Sequence, residues 1–191
     1  MKIGVLALQG AVTEHLRMLE QVGAEAVAVK KREQLRDLDG LVIPGGESTT
    51  ISKLMHKYEF MEEVRRFPAE QRPLFGTCAG AILLANRING QAEAHLGVMD
   101  MKVERNGFGR QKDSFEAILP VAEVAPDFPA VFIRAPYIME VGPSVQVLAK
   151  YDGKIVAARQ GACLACAFHP ELTEDDRFHQ YFLDMVRAYR G

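Results

Sequence analysis

No stretch of this 191-residue chain approaches the length of a membrane span. Its apolar opening, Met1-Lys2-Ile3-Gly4-Val5-Leu6-Ala7-Leu8, runs into Gln9-Gly10 too soon for a signal peptide and is expected to be a first buried parallel strand. Charge of one sign is lacking too. The 23 Lys and Arg against 25 Asp and Glu give a formal charge of -2, with no basic stripe of the kind a nucleic-acid backbone needs. Cysteine is scarce; three, an odd number, make no disulfide framework and fit a reducing cytoplasm. P-loop and dinucleotide fingerprints are missing, so no nucleotide, other cofactor or metal is expected. There is no repeat, linker or low-complexity segment, and at 48% hydrophobic content one domain over residues 1–191 can bury a full core unaided.

What is present begins with strands and helices in alternation. After the first strand, Val12, Leu16, Leu19 and Val22 recur at helical spacing, while Ala26 to Val29 and Leu41 to Ile43 read as strands. Such alternation implies a parallel sheet with helices on both faces. The second half changes character: Ser114 to Leu119, Val131 to Ile133, Val145 to Leu148 and Ile155 to Ala158 are short-linked strands, with Asp152-Gly153 a hairpin turn. A last helix carries Phe178, Phe182, Met185 and Tyr189, with Thr173 as its expected cap. The fold expected is α/β, a single-domain mixed and mostly parallel sheet between two helical layers.

Chemistry concentrates in three places. In Pro73-Leu74-Phe75-Gly76-Thr77-Cys78-Ala79-Gly80-Ala81, a buried strand meets an apolar helix through a G-x-C-x-G turn. That is a nucleophile elbow carrying a thiol, at a helix N-terminus that favours the thiolate. Downstream, Phe168-His169-Pro170-Glu171-Leu172 offers an imidazole and a carboxylate two residues apart, which face one side in extended chain. Cys78, His169 and Glu171 thus supply nucleophile, base and orienter. Between them in the sequence, Leu41-Val42-Ile43-Pro44-Gly45-Gly46 ends a strand in a glycine pair that can aim amides at an oxyanion. Gly46 and the amide of Ala79 are the expected donors. Ser48 or Thr49 is the expected N-cap of the helix that follows, with Ile51, Leu54, Met55 and Tyr58 on one face.

Two other patterns invite chemistry that their setting does not support. Cys163 and Cys166 have the C-x-x-C spacing of redox and zinc sites, but in a strand residues i and i+3 point to opposite faces. His15, His56, His95 and His179 have no ligand spacing and read as ordinary surface or helix histidines.

The set Pro44-Gly45-Gly46, Gly76-Thr77-Cys78-Ala79-Gly80 and His169-Pro170-Glu171 resembles the class I, or triad, glutamine amidotransferases, which release ammonia from the glutamine side chain. Leu8 to Val12, Pro44 to Thr50, Glu104 to Gln111, Val131 to Pro136 and Phe168 to Thr173 together are similar to the PdxT-type glutaminase family of pyridoxal 5'-phosphate synthase, over nearly the whole chain. The resemblance implies a flavodoxin-like architecture, a γ-glutamyl thioester on Cys78, and glutamine held by Gly46, Glu47, Ser48, Arg105, Ile133 and Arg134. A guanidinium suits the first of those arginines, since it can clamp the substrate α-carboxylate through paired hydrogen bonds. Arg110 and Arg134 also read as structural or interface ions. With no acceptor domain, the ammonia must go to a partner, which the resemblance names as the pyridoxal 5'-phosphate synthase subunit in a large hetero-oligomer. Other expectations compatible with the triad are a class I amidotransferase subunit serving a different acceptor, a cysteine hydrolase or peptidase, and a non-catalytic regulatory subunit.

Overall fold

Interior strands that are buried on both faces set the frame. In the computed structural model, which describes residues 1–109 and 113–191, β1 (Lys2–Leu6), β2 (Glu25–Val29), β3 (Gly40–Ile43) and β4 (Leu74–Thr77) run parallel in the order β2-β1-β3-β4. Every residue of β3 and β4 is buried, as expected for a sheet covered on both sides. Helix α1 (Val12–Gln21) joins β1 to β2, a 3-10 turn joins β2 to β3, α2 (Ser48–Lys57) and α3 (Met61–Ala69) join β3 to β4, and α4 (Ala79–Leu84) follows β4. From α4 the chain passes directly into β5 (Ala85–Ile88), so the apolar run after Cys78 is a short helix and then a strand.

The second half extends this sheet with reversals of direction. Strands β6 (Met99–Glu104), β9 (Tyr137–Val141), β10 (Gln146–Tyr151), β11 (Lys154–Gln160) and β12 (Cys163–Cys166) complete a ten-stranded sheet among the described residues, whose main path is β2-β1-β3-β4-β12-β11-β9-β6-β5. β12 is parallel to β4 and antiparallel to β11, so the sheet is mixed as expected. Asp152 and Gly153 both take positive φ in the β10–β11 turn, which is why that dipeptide could be read as a hairpin. β7 (Ser114–Val121) and β8 (Ala125–Ile133) form a separate antiparallel hairpin. Pro126 and Pro129 lie within β8, whose only ladder partner among the described residues is β7, so its other edge carries no strand pairing for a proline to break.

Two apolar clusters lie on either side of the sheet. One packs Ile51 and Met55 of α2, Val64 and Phe67 of α3, and α4 against Leu41, Ile43, Leu74 and Cys163. The other packs Leu19 of α1, the β7–β8 hairpin, and Phe178, Phe182 and Val186 of α5 (Arg177–Arg190) against Val42, Phe75, Leu164 and Cys166. Neighbouring strand residues alternate between the clusters, the period-two consequence of the pleat. The same alternation sends Cys163 and Cys166 to opposite faces, as their spacing predicts. Burying one Leu- or Phe-sized side chain contributes about 1.5–3 kcal/mol, so the two layers are held by dozens of such contacts. No helix among the described residues is long and apolar enough to cross a membrane.

Two expected caps are corrected. Thr173 does not cap α5, which starts four residues later; its hydroxyl donates to the Pro170 carbonyl at 2.9 Å and accepts from the Asp175 amide at 3.1 Å, closing its own turn. Neither Ser48 nor Thr49 caps α2. Glu47 does, its carboxylate accepting the amides of Thr49 at 3.1 Å and Thr50 at 2.6 Å. Tyr58 lies past the helix end and is exposed, not on its buried face.

Candidate active site

The carboxyl ends of the adjacent parallel strands β1, β3, β4 and β12 deliver the chemistry-bearing residues to one edge of the sheet. Cys78 sits immediately after β4 with φ 51° and ψ -105°, a conformation that a non-glycine residue adopts at a cost of about 1–3 kcal/mol. Its amide donates to the Cys166 carbonyl at 2.8 Å, which ties the elbow to β12. The flanking glycines act differently from what the motif suggests. Neither Gly76 nor Gly80 has positive φ; a Cβ at Gly76 would strike the backbone of Gly80, and one at Gly80 would strike the carbonyl of Ile43. They permit α4 to pack on β3 and β4, while the cysteine itself carries the turn.

His169 follows β12, and its Nδ1 lies 2.6 Å from Glu171 Oε1. The segment is not extended: Pro170–Leu172 form a single 3-10 turn that brings the carboxylate back under the imidazole. Glu171 is completely buried. Burial opposes charge on His169, but the hydrogen bonds that its ring makes to Cys78 and to the accepting Glu171 carboxylate, and the attraction of their charges, outweigh it, pushing its pKa up to about 10. Gly45 packs against both partners, since a Cβ there would lie 2.5 Å from His169 Cε1 and 3.4 Å from Cys78 Cβ. The thiol, the imidazole and the glycine pair therefore share one small volume.

The donors expected for an oxyanion lie beside that volume. Ala79 opens α4, whose first amides have no intrahelical acceptor. The Gly45 carbonyl accepts the Ala11 amide at 2.9 Å, which in a trans peptide directs the Gly46 N–H away from Ala11. Gln9, to which sequence reasoning assigned no role, accepts the Glu47 amide at 2.9 Å and so braces the same loop from β1.

The remaining expected residues are brought into two groups. Glu47, Ser48 and Arg105 meet at the start of α2, with the guanidinium 3.5 Å from Glu47 Oε1 and 3.4 Å from Thr49 Oγ1. Hydrogen bonds from Thr50, working against burial, and from Thr49 hold the Glu47 pKa down to about 2, so its side chain is committed to the cap. Ile133 ends β8 with its carbonyl 3.9 Å from Cys78 Sγ. Arg134 follows it, exposed and at positive φ, its amide bonded to the Asp113 carbonyl at 2.6 Å. Arg110 lies outside the described residues.

Histidine placement requires the largest correction. His56 is exposed on α2 and His95 is half-buried, as ordinary histidines are. His15 and His179 are fully buried behind Glu171, their Nδ1 and Nε2 2.8 Å apart, with His15 Nε2 3.1 Å from Thr77 Oγ1 and 3.5 Å from Glu171 Oε2. Burial, then the neighbouring His179 and His169, pushes the His15 pKa well down, and burial holds His179 down to about 3. A usable signal was present: His15 lies three residues after Val12 and four before Leu19, on the apolar face of α1.

A model of the SNO glutamine amidotransferase family matches residues 5–188. The chain is 74% identical over 191 residues, all of both chains, to the pyridoxal 5'-phosphate synthase subunit PdxT of Brevibacillus brevis. It is 65% identical over 191 residues, again all of both chains, to the subunit of the same name from a Geobacillus species. Among solved structures, a glutamine amidotransferase superposes with a TM-score of 0.92 at 50% identity, over 97% of this chain and 98% of that one.

Proposed function

This chain belongs to the SNO glutamine amidotransferase family, and from that premise we propose that Cys78, His169 and Glu171 are its catalytic triad, hydrolysing L-glutamine to glutamate and ammonia. The observation that carries this is the strained Cys78 elbow beside an imidazole 2.6 Å from a buried carboxylate, at the ends of neighbouring strands. Cys78 Sγ adds to the carboxamide carbon, and the carbonyl electron pair moves to oxygen, where the amides of Gly46 and Ala79 receive it. As the C–N bond breaks, His169 gives its proton to the departing nitrogen; its raised proton affinity keeps that proton in place at neutral pH. Water, relieved of a proton by the now neutral His169, then hydrolyses the γ-glutamyl thioester. Gly46, Glu47, Ser48, Arg105, Ile133 and Arg134 hold the glutamine, with Glu47 contributing backbone groups because its carboxylate caps α2.

The ammonia is delivered to a pyridoxal 5'-phosphate synthase subunit in a large hetero-oligomer for vitamin B6 synthesis. The relatives' name as subunits of that synthase supports this, as does the absence of any acceptor motif in the chain. Three free cysteines favour the cytoplasm, and residues 1–191 act as one glutaminase domain. Docking gates the reaction by fixing the Gly45-Gly46 peptide. Turning that peptide over breaks the Ala11 hydrogen bond, an effect of about 1 kcal/mol that a partner's differential affinity can supply. The test is ammonia release from glutamine, measured as kcat/KM for the chain alone and with saturating synthase. A rise mainly in kcat is expected. Equal values would remove gating, and no release in either arm would remove the glutaminase reading.

A further inference from the structure

The geometry points to His15 as a positioning residue for the triad, its Nε2–H being a second donor to the Glu171 carboxylate and its tautomer being fixed by His179. This rests on the reading of Cys78, His169 and Glu171 as the triad. Glu171 uses Oε1 to accept from His169, and Oε2 is buried with no hydrogen bond of normal length. Facing it is His15 Nε2 at 3.5 Å from α1; the Cys166 thiol, whose pKa burial and then the Glu171 charge push up, donates instead to the Phe168 carbonyl at 3.3 Å. A buried carboxylate oxygen requires a donor, so the question is which proton His15 carries.

The hydrogen-bond inventory settles it. His15 Nδ1 and His179 Nε2 are 2.8 Å apart, so one donates and the other accepts. If His15 donated from Nδ1, its Nε2 lone pair would face the Glu171 carboxylate, and neutral His179 would have to bury its remaining proton on Nδ1. That nitrogen has no partner. If His179 donates from Nε2, its partnerless Nδ1 is only a lone pair, and His15 turns Nε2–H toward Thr77 Oγ1 and Glu171 Oε2. The second arrangement leaves no buried donor orphaned and places a partial positive charge at the carboxylate. Both imidazoles are neutral, held so by burial. The Thr77 hydroxyl, sharing that proton, sits one residue before Cys78 and links the network to the elbow. Phe75 packs edge-on against both imidazole rings and excludes water from the pair.

Removing the donor leaves Glu171 Oε2 without a partner, so the carboxylate is free to turn and no longer fixes the His169 imidazole toward Cys78. In the assembly with synthase, His15→Leu should lower kcat for glutamine about tenfold and leave KM within about twofold. His15→Gln, whose amide can donate from the Nε2 position, should restore most of the lost kcat. A well-folded His15→Leu with unchanged kcat, or a Gln variant no better than Leu, overturns the proposal. Because His15→Leu can fail to fold, the tautomers of the unmodified chain supply a second measurement through nitrogen chemical shifts. Nε2–H at both His15 and His179 is expected, and Nδ1–H at His15 overturns the assignment. If unmodified assembly releases ammonia and Glu171→Gln loses it while His15→Leu is silent, only this inference fails; an active Glu171→Gln removes the triad and this inference together.

Discussion

The two sides of Glu171 hold the same kind of side chain under opposite rules. On the open side His169 faces Cys78 and Oε1 at 2.6 Å and retains its proton up to a pKa of about 10. On the closed side His15 and His179 have lost water and have mainly each other and Thr77 as partners, with Oε2 no nearer than 3.5 Å, and both stay neutral. Desolvation acts against charge in all three. The difference is whether an anion comes close enough to outweigh it. One buried carboxylate thus sorts its neighbours into a protonated imidazole facing Cys78 and a neutral pair on the opposite side.

The largest effects lie on the open side. Cys78→Ala should abolish glutamine hydrolysis while leaving the fold and synthase docking intact. A glutamine-mimicking electrophile should modify Cys78 alone, since burial pushes Cys163 up to about 12 and raises Cys166 further from reaction. Mass spectrometry finding the label on Cys163 or Cys166 would break the comparison at its reactive end. His169→Asn should cost turnover by about a thousandfold or more, because no other group at the site can carry the proton. Glu171→Gln should lose less than His169→Asn, since the imidazole remains though its charge is no longer matched; assays of both variants with synthase present rank them directly. Equal or reversed losses would mean that Glu171 does more than orient.

Much of the open side was legible because its residues stand in contiguous motifs. G-x-C-x-G, His-x-Glu and Pro-Gly-Gly each lie at one strand end, and local sequence suffices to place them. The reasons were less legible. That Cys78 bears the positive φ, that Gly76 and Gly80 serve packing, and that a 3-10 turn joins His169 to Glu171 are properties of the assembled layers. The closed side was missed altogether: His15 and His179 are 164 residues apart, and only the docking of α1 and α5 on one face of the sheet makes them neighbours. Similarly, the first half's strand and helix alternation was readable from periodicity, whereas β5 escaped because it continues the apolar run of α4, and β6 and β9 went unread although the turn dipeptides Asn106-Gly107 and Gly142-Pro143 follow close behind them.

The smallest effect is on stability, and it separates the two sides by sign. His179, and His15 with it, has a folded pKa below the ordinary 6.5, so below pH 6.5 the unfolded chain takes up protons that the folded chain refuses. Their contribution is fully present above pH 6.5 and is lost as pH falls below it. His169 is the reverse. Its folded pKa of about 10 lies above 6.5, so its contribution is fully present below pH 6.5 and is lost as pH rises toward 10. Free energies of unfolding from urea titrations should therefore fall on both sides of about pH 6.5. His179→Gln should make the arm between pH 6.5 and about 5, above the range where most carboxylates titrate, less steep, with His15 still contributing there, and leave the alkaline arm intact. His169→Asn should do the opposite. If one variant flattened both arms, or neither arm responded, the three imidazoles would not be held in opposite protonation states, and the division of labour across Glu171 would have no thermodynamic basis.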